Sequence, residues 1–402
     1  MSISQETASA GTREATSSRG VIALLAACTA TGPAATNLFV PALPHIRADF
    51  DVSVAAAQTM LTTYLVAFAL GLLVCGPVSD RYGRRPIMIG GLTVLAAGSL
   101  MCALAPSLPV LAFGRVVQAL GTASAFTVAR ASVADLFQGA ELARRIATLT
   151  MVIIIGTTIS PYLGGFIADH AGWELGFWIL FGAALLLIVI CLRALPETRA
   201  RHARTGFADL GRAIRSVLAN PVFFGYSLQV AVIFSLFMVF ISLAPYIMTG
   251  ALGRSASEFG IYYILISVGY FLGNLYVSKR AHSTSTARLT ALGLWIQLAC
   301  TLLALGFALA GLTHPLWLFG PMFPLSFGQG LALPTITARA VGLVPGFAGA
   351  ASSLLGFAQM ATAAVCVQAM GWASTDTAVP MLLFCSIASS LALVPIYAMR
   401  RA

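Results

Sequence analysis

The chain has 402 residues, of which 59% are hydrophobic and 9% charged, with a mean hydropathy of +0.91 and a formal net charge of +10. A soluble globule uses about 45–50% apolar residues, so these values exclude a water-soluble fold and require a lipid environment. The excess of positive charge does not call for nucleic acid as a partner. The basic residues collect between apolar stretches, where membrane topology accounts for them.

In chain order, residues 1–19 are rich in Ser, Thr and Ala and are predicted to form a disordered cytoplasmic N-terminus. Leu25-Ala26-Ala27-Cys28 has the form of a bacterial lipoprotein cleavage site. The apolar run before it is too short for a signal core, and further spans follow.

A helix needs about 20 apolar residues to cross the hydrocarbon core, and the sequence supplies twelve candidates: 20–43, 55–78, 87–105, 110–134, 146–168, 173–195, 220–248, 259–278, 289–311, 315–338, 347–371 and 377–398. Threading these spans back and forth places Arg81, Arg84, Arg85, Arg144, Arg145, Arg199, Arg201, Arg204, Arg212, Arg215, Lys279, Arg280, Arg288, Arg339, Arg400 and Arg401 at one end. Only Arg47 and Arg254 fall at the other. Loops rich in Lys and Arg stay in the cytoplasm, so the split predicts cytoplasmic termini and an even number of spans. The arginine-rich segment 196–219 then reads as a cytoplasmic linker between an N-terminal six-helix bundle, 20–195, and a C-terminal one, 220–398, followed by a cytoplasmic tail, 399–402. The seven cysteines lie in apolar segments without metal-type spacing, so they read as small buried hydrophobes.

Between the second and third spans lies Gly76-Pro77-Val78-Ser79-Asp80-Arg81-Tyr82-Gly83-Arg84-Arg85-Pro86, a charged strip read here as a short cytoplasmic loop. It resembles the Gly-x-x-x-Asp-Arg-x-Gly-Arg-Arg loop of major facilitator superfamily transporters. The resemblance implies an all-α membrane protein built as two six-helix bundles related by a pseudo-two-fold axis. It also implies that Asp80, with Gly76, Arg81, Gly83, Arg84 and Arg85, forms a conformational latch that docks on the eleventh helix in the outward-facing state. From charge alone, Arg81 and Arg84 are expected to pair with carboxylates such as Asp135.

An ionisable residue inside a span marks function by default, and Arg115 is the clearest case. Gln118 and Thr122 follow at helical spacing to make a polar stripe. The stretch Arg115-Val116-Val117-Gln118-Ala119-Leu120-Gly121 resembles the helix 4 motif of drug/proton antiporters, which implies a coupling role for the arginine. A second role, which can coexist with the first, is for Arg115 to bind backbone carbonyls and hold the first and fourth helices together. Gly156-Thr157-Thr158-Ile159-Ser160-Pro161-Tyr162-Leu163-Gly164-Gly165 is similar to the exporter motif Gly-x-x-x-Gly-Pro-x-x-Gly-Gly, with Ser160 in place of a glycine. Small residues at these spacings let helix backbones approach closely.

The end of the first span, from Asn37 to Phe50, resembles the Bcr/CflA branch, which includes multidrug and amphenicol exporters. That branch carries an aspartate where this chain has Asn37. The remaining carboxylates, Asp49, Asp51, Asp80, Asp135, Glu141, Asp169, Glu174, Glu197, Asp209, Glu258 and Asp376, map to loops, helix ends or terminal segments, leaving no acid inside the bundle. All five histidines map near water. An amide cannot titrate, and Asn37 and Arg115 are expected at similar depth, able to face each other. In the second half Tyr226, Gln229, Phe234, Tyr263, Gln329 and Gln359 are candidates for the wall of the substrate cavity.

The sequence contains no phosphate-binding Gly-x-x-x-x-Gly-Lys-Ser/Thr loop, no zinc-protease motif and no nucleophile triad. No enzymatic activity, cofactor or metal is expected. The reading is an inner-membrane secondary exporter of small amphiphilic molecules, with protons as the coupled ion by resemblance and a monomer in the lipid bilayer. A dedicated exporter of one metabolite and a non-transporting receptor or scaffold are the rivals left open.

Overall fold

The computed structural model describes the backbone of residues 3–198, 211, 214, 215, 217, 219–280, 284–344, 348–373 and 377–398. Most of the predicted linker and the tail 399–402 lie outside these residues. The long helices follow one another as α1 Ile3–Asn37, α2 Val54–Tyr82, α3 Arg84–Ala103, α4 Leu108–Leu136, α5 Gly139–Ala171, α6 Glu174–Ala194, α7 Pro221–Tyr246, α8 Ala256–Arg280, α9 Thr286–Leu309, α10 Met322–Gly342, α11 Ala348–Trp372 and α12 Val379–Ala398. Among the described residues, ten helices are long and apolar enough to cross a membrane. Of the other two, α10 carries buried Ser326, Gln329 and Thr335 in its middle, and α12 is apolar over the shorter stretch Val379–Pro395. The chain is a multi-pass membrane protein.

Local chemistry explains where the helices start and break. Ser53 caps α2 by accepting a hydrogen bond from the Ala56 amide, and Asn220 caps α7 by accepting from Val222 and Phe223, with Pro221 in the first helical turn. The first span breaks after Asn37: Pro41 and Pro44 cannot donate to a continuing helix, and the chain passes through a 3-10 turn, Val40–Ala42, into a short helix, Leu43–Asp49. The tenth predicted span, 315–338, is likewise two pieces, Pro315–Phe319 and α10, interrupted at Gly320-Pro321. At the N-terminus α1 begins at Ile3. Extending a helix already nucleated costs far less than starting one.

The two halves repeat one packing scheme. In the first, α1 packs on α4, α5 and α6, α4 also receives α2 and α3, and α3 meets α6. In the second, α7 packs on α10, α11 and α12, α10 also receives α8 and α9, and α9 meets α12. The halves join chiefly through α2 against α11 and α5 against α8, two pairs that the same exchange converts into each other. The fold is therefore two six-helix bundles with pseudo-two-fold symmetry.

The buried core shows how the halves sit. At the end away from the arginines one apolar cluster runs through both, with Leu43, Leu61 and Tyr64 of the first packed with Val239, Met248, Phe259 and Met381 of the second. At the arginine-rich end the core divides. One cluster, around Leu25, Met88, Leu92 and Val128, belongs to the first half, and a separate one, around Phe223, Val230, Ile336 and Leu355, to the second.

Within the first half α3 and α4 touch backbone to backbone. A methyl group on Gly121 would stand 2.3 Å from the Leu95 nitrogen and 2.6 Å from the Gly91 oxygen, whereas one on Gly90 would meet nothing within 4 Å. Gly121→Ala is expected to destabilise the purified protein by about 1–3 kcal/mol through overpacking, and Gly90→Ala on the neighbouring helix to leave it unchanged. Thermal unfolding of the two variants side by side checks this.

Candidate transport site

The charged strip is helix almost throughout, which corrects its reading as a loop. Gly76, Asp80 and Arg81 lie in α2, Arg84 and Arg85 open α3, and Gly83 alone separates them at φ +103°. That backbone conformation suits glycine. It folds Arg84 back, burying it to 7% exposure between two carboxylates: Nη1 is 2.6 Å from Asp80 Oδ1, and Nε donates to Asp135 Oδ2 at 2.8 Å. The amides of Arg84 and Arg85 donate to Glu197 at 2.8 and 3.1 Å. A carboxylate from beyond α6 thus caps the N-terminus of α3, where unpaired amides and the helix dipole favour negative charge. Arg85 closes the junction by donating to the Leu192 carbonyl at 2.6 Å, and Arg81 lies exposed with its guanidinium 5.3 Å from the Tyr82 ring.

Arg115 is completely buried on α4. Its Nη1 donates to the Ala35 carbonyl of α1 at 3.2 Å and to Gln118 Oε1 at 2.5 Å. The guanidinium carbon lies 4.1 Å from the Tyr64 ring centroid, 4.3 Å from Phe39 and 5.9 Å from Phe177. The electron-rich ring faces balance its charge where a carboxylate is lacking. Nε and Nη2 are buried without a hydrogen-bond partner.

The polar stripe continues along α4. Gln118 donates to Ser99 of α3 at 2.9 Å, and Thr122 lies 3.0 Å from the Tyr64 hydroxyl, which donates to the Gly32 carbonyl at 3.1 Å. Among the described residues the buried charged side chains are Arg84 and Arg115, and no carboxylate is buried with them.

Asn37 does not join this cluster, contrary to the expectation that it faces Arg115. Its amide donates to Pro33 of its own helix at 2.8 Å, and its oxygen accepts from Tyr263 of α8 at 3.4 Å. The last turn of α1 aims Asn37 at the other half, while Arg115 is held against Ala35 and the rings.

In α5, Ser160 folds onto the Gly156 carbonyl at 2.6 Å and Pro161 lies within the helix. Gly164 and Gly165 do different jobs. An added methyl would stand 2.2 Å from the Leu38 oxygen at Gly164, and 2.2 Å from the Ala256 oxygen at Gly165. The motif therefore seats α5 on the end of α1 and on α8 at the junction of the halves.

The second-half candidates divide. Gln229 donates to the Ala392 carbonyl of α12 at 2.7 Å and Gln329 to the Ile233 carbonyl of α7 at 3.5 Å. Their amides are engaged in joining helices, because a buried amide must find a partner. Each thus has a structural partner in addition to its expected place on the cavity wall. Tyr226 is buried with the Arg339 guanidinium 5.5 Å from its ring, Phe234 packs on Phe237, Gln359 is half-buried, and Tyr263 reaches across to Asn37.

A cavity of about 450 Å³ does open between the halves at the arginine-poor end, beside Arg47, Tyr246 and Trp372, and none of the six candidates lines it. Sequence reading also passed over Gln58, which donates to Ser242 at 2.9 Å, and Gln368, which donates to Ala55 at 3.0 Å; both tie the halves at that end. A lone amide near a span end was the only signal they offered.

The model of the Major Facilitator Superfamily matches residues 25–367. The chain belongs to the major facilitator superfamily. It is similar to multidrug resistance protein D of Escherichia coli (strain K12), 27% identical over 349 residues that cover 84% of each chain. It is also similar to a bicyclomycin resistance protein homolog of Haemophilus influenzae, 25% identical over 87% of this chain and 88% of that one. A third relative is chloramphenicol resistance protein CraA of Acinetobacter baumannii, 25% identical over 75% of this chain and 73% of its own length. These relatives accord with the Bcr/CflA resemblance. A D-xylose-proton symporter shares the fold at a TM-score of 0.73 and 14% identity, covering 94% of this chain and 96% of its own.

Tyr64→Phe removes the hydroxyl that joins Gly32 to Thr122 but keeps the ring against Arg115. A loss of about 1 kcal/mol is expected, whereas Tyr64→Leu also removes the ring and costs several-fold more. Unfolding of the solubilised variants distinguishes the two contributions.

Proposed function

We propose that this chain is a secondary active exporter of small amphiphilic compounds in the bacterial inner membrane. Its arginine-rich end and both termini face the cytoplasm, as the distribution of Lys and Arg supports. It works as a monomer by alternating access, with proton antiport as the coupling that the Bcr/CflA resemblance implies. In this orientation the divided core at the arginine-rich end corresponds to the inward-facing member of the cycle. Asp80 takes the latch role in the outward-facing member.

The observation that carries the substrate class is the environment of Arg115. A fixed cation among aromatic rings, with spare N–H donors and no buried acid, repels a permanent cation and attracts carbonyl, nitro or carboxylate groups. Rings around it suit an apolar body. The names of the relatives, which include multidrug and chloramphenicol resistance, support export of such compounds.

Reconstituted in proteoliposomes under an imposed pH gradient, the chain is expected to transport chloramphenicol as a neutral probe and aromatic carboxylates as anionic ones, and to leave methyl viologen behind. Internal pH should change on substrate addition. Arg115→Gln should lower the rate by about tenfold or more, the scale of one charge-assisted hydrogen bond, in a variant that still elutes as a single species. Robust transport of the dication, or no transport of any probe, would overturn the reading.

A further inference from the structure

Asp169 was unremarkable in the sequence, a carboxylate near the end of a span. In the structure it is an acid that crosses from one half to the other. It sits near the C-terminus of α5, with its side chain 14% exposed, and accepts hydrogen bonds from the Ala256 amide at 3.3 Å, the Ser257 amide at 2.8 Å and the Ser257 hydroxyl. Those donors open α8. The first amides of a helix have no partner within it, and the dipole adds partial positive charge, so a carboxylate is the natural acceptor. His45, on the short helix after α1, places Nε2 3.4 Å from Asp169 Oδ1 and braces it from the first half. Arg254, just before α8, pairs with Glu258 at 3.7 Å.

The carboxylate is delivered to α8 by backbone contact. Gly165 of α5 lies against the Ala256 carbonyl, where an added methyl would stand 2.2 Å away, and Gly260 of α8 lies against Tyr162, where one would stand 2.3 Å away. Close packing of this kind leaves no slack between Asp169 and the helix it caps. If α5 and α8 separate, all three hydrogen bonds are lost together.

We infer that Asp169 is the gate latch of the arginine-poor end: it holds the N-terminus of α8 while that end is closed, and its release accompanies opening. The inference rests on the alternating-access reading above. A parallel, though not a symmetry mate, stands at the other end, since the pseudo-two-fold carries α5 onto α11 and α2 onto α8. The halves meet through α5–α8 and α2–α11, which exchange under the pseudo-two-fold. Family resemblance already gives Asp80, near the C-terminus of α2, a docking role on α11 at the arginine-rich end. Asp169 stands near the C-terminus of α5 and meets α8 at the opposite end. One carboxylate on a partner helix's N-terminus thus guards each end. The ties from Gln58 to Ser242, Gln368 to Ala55 and Tyr263 to Asn37 close the same end as Asp169 and open with it.

Hydrogen exchange of the full chain in lipid nanodiscs, read by mass spectrometry, tests the latch in Asp169→Asn, Ser257→Ala and Asp80→Asn. In Asp169→Asn, exchange across 255–262 should rise about tenfold, the scale of a lost cap. It should rise as well at 53–60 and 366–373, which the same end closes, and fall reciprocally at 76–85 and 349–356. Ser257→Ala keeps both backbone donors and should give a smaller shift of the same pattern, while Asp80→Asn should give the opposite pattern. A change confined to 255–262 would reduce Asp169 to a helix cap, and no change would remove it from the gate. If Asp80→Asn also failed to couple the two ends, the alternating-access reading itself would fall.

Discussion

Helices in hydrocarbon gain nothing by hiding apolar faces from one another, since lipid tails are as apolar as leucine. They hold together where backbones come close and where polar groups find partners. Both conditions operate throughout this molecule. Gly121 lies against Leu95 within the first half, and Gly165 and Gly260 join α5 to α8 across the halves. Hydrogen bonds then fall where that proximity puts donors beside carbonyls: Gln229 on α12, Gln329 on α7, and Gln58 on Ser242. Substitution of a larger residue at such a glycine separates the helices and leaves the amides near it without partners.

The two buried arginines illustrate opposite answers to the cost of a charge out of water. Arg84 is neutralised by Asp80 and Asp135 at the junction of α2 and α3. This joins α2, α3 and α4 at one point and suits an element meant to hold or release as a unit. Arg115 has no acid and is stabilised by ring faces and two acceptors. Its charge is only partly balanced, with Nε and Nη2 left without a hydrogen-bond partner.

The apolar core divides at one end and is continuous at the other, so the resistance to opening is uneven. At the arginine-poor end apolar burial, glycine contacts and directional hydrogen bonds coincide. Two-state gating needs this combination, because packed interfaces change by discrete repacking more readily than by gradual deformation. A carboxylate on a helix terminus suits such a device: its hydrogen bonds form only when the helices are seated.

The lengths of the apolar runs and the side on which arginine accumulates were sufficient for the order of the helices, their alternation and the burial of Arg115 and the stripe through Gln118 and Thr122. These follow from local composition, since a span must be about 20 apolar residues long and a residue three or seven places along a helix shares its face. The breaks at Pro41 and Gly320-Pro321 were harder to place, because apolar residues continue across them. Tertiary structure alone decided that Asn37 turns to Tyr263, that Gln229 and Gln329 staple helices, and that Asp169 caps α8. Each of these depends on the rotation of one helix about its axis against another far away in the chain, and a single sequence records the period of a helix but not the neighbour its polar face will meet.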